Sequence, residues 1–122
     1  MFEPASTSEE ALARYQQGYR ESSVETVLSV INFVQEAKLT LHAGAVSAVE
    51  SFALERAAEL RRYYLEHGFA KGLNVGNSTF VAKFENAPDQ HTFVLRDEQA
   101  TGVNVFRLAF RRHERGWYLV RG

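Results

Sequence analysis

The chain from residue 103 to residue 120 alternates between two kinds of side chain, and this pattern constrains the fold more than any other stretch. Phe106, Leu108 and Phe110 occupy alternate positions, with arginines and small residues between them. A period of two is typical of a strand that is buried on one face. A short polar turn ending at Gly116 and a second apolar run follow, so the pattern predicts a β-hairpin. Everything upstream must then pack against the sheet that contains this hairpin.

Two more strands are predicted before this hairpin. Residues 79–85 and 91–96 alternate in the same way, and the segment Asn-Ala-Pro-Asp between them has the composition of a turn. The polar segment that follows, with Asp97, is predicted to be a loop. Four strands joined by short connections indicate an antiparallel meander. We expect the helices to cover one aromatic face of this sheet, formed by Phe80, Phe84, Phe106, Leu108 and Phe110.

Helical signals dominate the first half of the chain. Three segments begin with a serine or threonine that is followed three residues later by a glutamate, the reciprocal capping arrangement of helix N-termini. Apolar residues at spacings of three and four follow each one, so we predict three helices within residues 7–67, the second capped by Ser22 and carrying an apolar stripe that reaches Val34. A short alternating run from Lys38 to His42 predicts a possible extra strand. These elements predict a single α+β domain over residues 1–122, with three N-terminal helices packed on a four-stranded antiparallel sheet.

Composition excludes several classes of function. The 122 residues carry a net charge of −1, so the chain lacks the overall basic character of a nucleic-acid-binding protein. No apolar run approaches the roughly 20 residues needed to span a bilayer. The N-terminal residues lack the basic and apolar regions of a signal peptide, so we expect a cytoplasmic protein. The chain contains no cysteine, which excludes disulfides and thiolate metal sites.

Two stretches of the chain carry a resemblance to a known family. One is Ser-Glu-Glu-Ala-Leu-Ala-Arg-Tyr-Gln-Gln-Gly-Tyr-Arg with the following Ser-Ser-Val-Glu-Thr-Val-Leu-Ser-Val, and the other is the ending Phe-Arg-Arg-His-Glu-Arg-Gly-Trp-Tyr-Leu-Val. In these stretches, and in the order of its elements, the chain resembles the nuclear transport factor 2-like superfamily, which includes ketosteroid isomerases and polyketide cyclases. The resemblance implies a strongly bent sheet wrapped around a helix, a cone-shaped fold and a pocket at the wide end of the cone.

The chemistry of the enzymes in this superfamily does not carry over to this chain. Ketosteroid isomerases use a carboxylate base deep in the pocket, epoxide hydrolases of this fold use an Asp-Arg-Asp constellation on strands, and dehydratases use paired histidines with an aspartate. Asp89 and Asp97 are the only aspartates here, and both fall in predicted loops. The four histidines have no chelating spacing, so we expect neither a metal nor a cofactor.

The aromatic residues have two interpretations. They form a packed core, or they line a pocket with apolar walls and a few phenolic hydroxyls, as is usual for a small-molecule site. Buried phenols need hydrogen-bond partners, which favours tyrosines as the polar groups of such a pocket. The residues expected to line it are Tyr15, Tyr19, Tyr63, Phe80, Phe106 and Trp117.

Three functions remain open from the sequence. We favour a non-catalytic module that binds a small apolar molecule or a protein, because no recognisable catalytic set is present. The alternative is a small lyase, isomerase or cyclase that works on an apolar substrate by acid–base catalysis, with Glu36, His42 or Glu85 as the ionisable group together with a tyrosine. The third is an immunity or adaptor protein that binds another protein through its sheet.

The predicted outer face of the sheet indicates self-association. Small apolar residues alternate there with charges of both signs, a composition that suits a two-fold interface. The resemblance implies the same, since many proteins of this superfamily pair through their sheets. We therefore expect a homodimer, whose interface residues are Val81, Lys83, Val105, Arg107, Ala109 and Arg111.

Overall fold

The computed structural model describes residues 3–41, 46–68, 75–99 and 102–121. Within these residues an α+β fold is formed, with the helices preceding one antiparallel sheet as predicted. The helices are α1 (Ser8–Arg20), α2 (Val24–Leu28), α3 (Phe33–Leu41) and α4 (Val46–His67), followed by a 3₁₀ turn (Val75–Asn77). The strands are β1 (Thr79–Ala87), β2 (Gln90–Gln99), β3 (Gly102–His113) and β4 (Gly116–Leu119), and they lie in the order β1-β2-β3-β4.

The second predicted helix is divided into two. The Ser23 hydroxyl caps α2 by accepting a hydrogen bond from the Thr26 backbone N–H at 3.3 Å, and α2 ends at Leu28. The Asn32 side-chain oxygen then accepts from the Gln35 N–H at 3.0 Å. Asparagine is among the preferred residues at helix N-termini, so it starts a new helix instead of continuing the old one. The structure therefore has four α-helices in its described part where the sequence predicts three.

The possible extra strand from Lys38 to His42 is wrong for its described residues, because α3 continues to Leu41. Phe33, Ala37 and Leu41 are four residues apart and pack together against Val49 and Ala53 of α4. An alternation of five residues is too short to distinguish a strand from one side of a helix. His42 lies outside the described residues.

The main core lies between α1 and one face of the sheet, which we call the inner face. Leu12 of α1 packs there against the strands, and the predicted burial of Phe106 and Phe110 is confirmed. Leu108 lies half-buried at the edge of this cluster. The other large buried side chains of the inner face are Phe93, Leu95 and Trp117.

A β-bulge in β1 changes which residues face the helices. The pairing of β1 with β2 shifts between Phe80 and Ala82, so that Lys83 is paired with the buried Phe93. Lys83 therefore lies on the inner face, where its Nζ is 3.0 Å from Glu9 Oε2 of α1. Phe84 lies on the opposite, outer face. An extra residue in a strand reverses the side-chain alternation beyond it, and this could not be seen in the sequence pattern.

Two predictions about β1 are therefore wrong. Phe80 and Phe84 were expected in the core, yet they are 56% and 55% exposed. Phe80 lies at the rim of the inner face, with its ring 6.3 Å from that of Phe93, while Phe84 faces away from the helices. Lys83 was expected on the outer face and instead pairs with a helix.

Candidate functional site

Three tyrosines form a connected group on the helical side of the molecule. Tyr15 and Tyr19 are one turn apart on α1, with their hydroxyls 3.4 Å apart, and the Tyr19 hydroxyl lies 2.9 Å from that of Tyr64 on α4. The rings pack edge to face, with centroids 5.1 Å and 6.0 Å apart. Burial raises the pKa of all three phenols above their ordinary value. They are therefore neutral at physiological pH, and they are suited to hydrogen bonding and packing, not to proton abstraction.

The acid–base candidates that the structure describes are engaged in ion pairs. Glu36 on α3 is bound by Arg121, with distances of 2.6 Å and 2.9 Å between the two pairs of atoms. The Arg121 guanidinium also lies 5.4 Å from the centre of the Phe33 ring. Through Glu36 and Phe33, Arg121 therefore contacts α3 at two positions. Glu85 on β1 lies 3.2 Å from Lys83 Nζ and is largely exposed. These two carboxylates lie on separate elements and form no common site.

The six residues predicted to line a pocket are distributed over several environments. Four of them belong to the main core or pack against it, namely Tyr15, Tyr19, Phe106 and Trp117. Tyr63 is 54% exposed beside Tyr64 and His67, and Phe80 is exposed on β1. The Trp117 ring is stacked on His91, with centroids 4.4 Å apart.

The grooves found among the described residues do not resemble an apolar ligand pocket. A groove of about 110 Å³ lies between α3 and the end of the sheet, and one of about 290 Å³ lies along α4. A third, of about 390 Å³, is lined by the polar residues Asn77, Thr79, Arg96, Asp97 and Glu98. Small-molecule sites usually measure roughly 300–1,000 Å³ and are mostly apolar. The predicted aromatic pocket is thus not matched by these grooves.

Asp97, predicted to lie in a loop, is a buried carboxylate on a strand. The structure places it in β2, which continues to Gln99 because its pairing with β3 extends to Gly102. Asp97 shares the inner face with Phe93 and Leu95 and is only 8% exposed. The polar residues next to Asp97 in the sequence indicate a loop. Only the length of β3 could have suggested that its partner β2 continues past residue 96.

The outer face of the sheet carries an exposed apolar patch. Phe84, Thr92 and Ala109 form one row across β1, β2 and β3, and Ala82, Val94 and Arg107 form the next. The large apolar residues that are more than half exposed on these strands, in addition to Phe80 on the inner face, are Val81, Phe84, Val103 and Val105. None of these side chains belongs to a core cluster of the described residues, so they have no covering layer there.

Three arginines lie within this patch or at its ends. Arg107 lies within it, Arg111 Nη2 is 2.7 Å from Gln90 Oε1 at one end, and Arg96 pairs with Glu98 at the other at 2.5 Å. Of the residues predicted for an interface, four lie together on the outer face of β3, whereas Val81 is at the bulge of β1 and Lys83 is on the inner face. The four are Val105, Arg107, Ala109 and Arg111.

Comparison with known proteins gives no assignment: no family model, curated protein or solved structure matches the chain. The arrangement of helices on a four-stranded antiparallel sheet is compatible with a nuclear transport factor 2-like fold. No helix in the described ranges is long and apolar enough to cross a membrane. Among the same residues, no group of three acidic or histidine side chains is placed to hold a metal ion.

Proposed function

We propose that this chain is a non-catalytic, protein-binding module of the nuclear transport factor 2-like type. Its binding surface is the outer face of the sheet, and its partner presents apolar side chains together with acidic ones. The observation that carries this proposal is the exposed patch around Phe84 and Val105, which are 55% and 60% exposed and are bordered by arginines.

The apolar part of the surface supports binding to a protein. Contiguous exposed apolar patches on a folded domain commonly mark interaction sites, whereas single exposed apolar residues need no explanation. Phe84, Ala82 and Val94 are neighbours across β1 and β2, and Ala109 and Val105 continue the patch on β3. Aromatic residues and arginine are the types enriched at protein interfaces. A sheet face without a covering layer also suits a protein better than a small molecule, which needs a concave site.

The charge of this surface favours an acidic partner over a second copy of the chain. Arg96, Arg107 and Arg111 lie on the outer face, and Glu98 is the acidic residue beside them. The bulge places Lys83 and Glu85 on the inner face, which removes the charges of both signs that the predicted homodimer used. Two identical faces would bring arginines towards arginines, and like charges at an interface oppose association.

The proposal can be tested with a displayed peptide library selected on the purified chain. We expect enriched peptides to combine acidic with aromatic or aliphatic residues, and their binding to weaken as salt is raised. Val105→Asp and Arg107→Glu should each reduce affinity at least about tenfold, equivalent to about 1.4 kcal/mol. Both positions are exposed, so the melting temperature should change little.

Arg62→Glu is the matched control, since Arg62 is exposed on α4 and the charge change equals that of Arg107→Glu. Peptides that bind all three variants as well as the original chain would place the binding surface elsewhere. Selection of neutral or basic peptides would contradict the proposed partner chemistry.

One observation favours a second candidate, the acid–base enzyme. Asp97 is a buried carboxylate at the groove of about 390 Å³, so the chain does carry an aspartate on a strand. A buried carboxylate that borders a groove is a type of group that can act as a general base towards a bound substrate. A thermal-shift screen of cyclic ketones would test this candidate. A compound that stabilises the chain but not Asp97→Asn would support it, and a compound that stabilises both equally would not.

A further inference from the structure

The two edges of the sheet differ in how their backbones are paired. At the β4 edge, the Trp117 N–H donates to the Ala5 carbonyl at 3.0 Å and the Leu119 N–H donates to the Val30 carbonyl at 2.7 Å. At the β1 edge, no backbone hydrogen bond joins the strand to anything except β2 within the described residues. A strand edge with apolar side chains and unpaired backbone groups is a template for another strand.

We propose that β1 pairs with β1 of a second copy of this chain, antiparallel and about a two-fold axis next to Phe84. The proposal commits to a second copy because the charges along β1 are complementary to themselves. Lys83 and Glu85 flank Phe84, share the inner face, and lie 3.2 Å apart within one chain. In a strand pair centred on Phe84, each Lys83 is opposite the other chain's Glu85, and opposite charges across strands are stabilising.

The charges also select this alignment from its neighbours. A two-fold axis perpendicular to the sheet keeps inner faces on the same side, so the alignment can change only by moving the axis to another residue of β1. An axis next to Lys83 would place the two lysines directly opposite each other, and like charges in that position are unfavourable. The axis next to Phe84 instead places the two aromatic rings together on the outer face, with an ion pair on either side on the inner face.

The resulting dimer is a continuous eight-stranded sheet with both copies of α1 on the same side. It is compatible with the acidic partner proposed above, because it uses the edge of β1 and leaves Val105 and Arg107 of β3 accessible, so that only Phe84 belongs to both surfaces. The strand irregularities after Phe80 and after Glu85 bound the segment that can pair regularly. Such bulges shorten the edge, so we expect a reversible dimer that depends on concentration.

The test is to measure solution mass by sedimentation velocity, using two opposite charge reversals. The original chain should approach twice 13.8 kDa as its concentration rises into the high micromolar range. Lys83→Glu alone would place acids opposite acids, and Glu85→Lys alone would place lysines opposite lysines, so each variant should remain at 13.8 kDa. An equimolar mixture of the two variants restores both ion pairs and should recover the dimer mass.

The mixture makes the test specific, because recovery requires residues 83 and 85 to be opposite each other. Glu25→Lys, at an exposed position of α2, is the matched control for Glu85→Lys and should keep the dimer. Circular dichroism verifies that each variant is folded. If Lys83→Glu does not fold, Glu85→Lys still tests the proposal by itself. An original chain that stays monomeric would overturn the proposal, as would a dimer unaffected by Glu85→Lys. A dimer dissociated by Val105→Asp but not by Glu85→Lys would indicate pairing through the outer face instead.

Discussion

Phe110 on β3 and Phe84 on β1 lie in the same sheet, but Phe110 is fully buried and Phe84 is 55% exposed. The difference does not come from hydrophobicity, which is the same for both. It comes from the side of the sheet that each ring faces, since α1 covers the inner face and the bulge in β1 turns Phe84 to the outer one. The inner face is thus organised for stability, and the outer face retains large apolar side chains without a covering layer. This contrast supports a binding role for the outer face.

The largest expected effect is a difference in stability between these two phenylalanines. Phe110→Ala should lower the free energy of unfolding by about 3–5 kcal/mol, because it removes a buried ring and leaves a cavity. Phe84→Ala should cost less than about 1 kcal/mol, because most of its ring is already in contact with water. Chemical denaturation of both variants at low protein concentration, where the chain is expected to be monomeric, measures the difference. Similar losses would mean that Phe84 is covered in solution, and the contrast between the faces would then fail.

The sequence was sufficient for the fold class and for β3. The alternation of Phe106 and Phe110 persists without interruption, so its inner face could be predicted correctly. The same reasoning failed in β1, because a bulge depends on pairing with β2 and leaves no mark in a pattern of period two. It failed again in α3, where capping by Asn32 outweighed the apolar stripe that continues through Ile31 and Val34.

The candidate site was less predictable than the fold. Asp97 has polar neighbours that suggest a loop, and its burial follows from strand pairing over a long sequence separation. Tyr64, which completes the group with Tyr15 and Tyr19, follows Ala57 and Leu60 at helical spacing on α4, and this spacing indicates the apolar side of the helix. Its contact with Tyr19, 45 residues away in the sequence, depends on how α1 and α4 pack, and local patterns carry no such information.

A smaller loss of stability is expected when one hydroxyl is removed, either from the tyrosine group or from the outer face of the sheet. Tyr19→Phe should cost about 0.5–1.5 kcal/mol, because it deletes the hydrogen bond with Tyr64 in a partly buried position. Thr92→Val is the matched change on the outer face, where the Thr92 hydroxyl donates to Asn86 at an exposed site, and it should cost less. Thermal unfolding of the two variants provides the comparison. Equal losses would show that burial does not distinguish the two hydroxyls.

The tyrosine group also predicts a dependence on alkaline pH. Burial raises the pKa of Tyr19 in the folded chain, whereas an unfolded phenol ionises at about 10. The associated stability is therefore complete below about pH 10 and is lost as the pH rises further. The melting temperature of the original chain should fall more steeply above that pH than that of Tyr19→Phe. Parallel curves for the two proteins would contradict this role of Tyr19.

The smallest expected effect tests on which face Lys83 lies. Its hydrogen bond with Glu9 holds the pKa of that carboxyl below its ordinary value. A lowered folded-state pKa stabilises the chain above the pKa of the unfolded state, and this stability is lost as the pH falls through the folded-state pKa. Lys83→Met should therefore lower the melting temperature slightly at pH 7 and low salt, by less than Tyr19→Phe does, and the difference should diminish as the pH falls below the ordinary pKa of a glutamate. Lys38→Met, at an exposed position of α3, is the control and should show no such dependence. If Lys83 lay on the outer face, as simple alternation predicts, it could not reach Glu9, and its variant would follow the pH curve of the original chain.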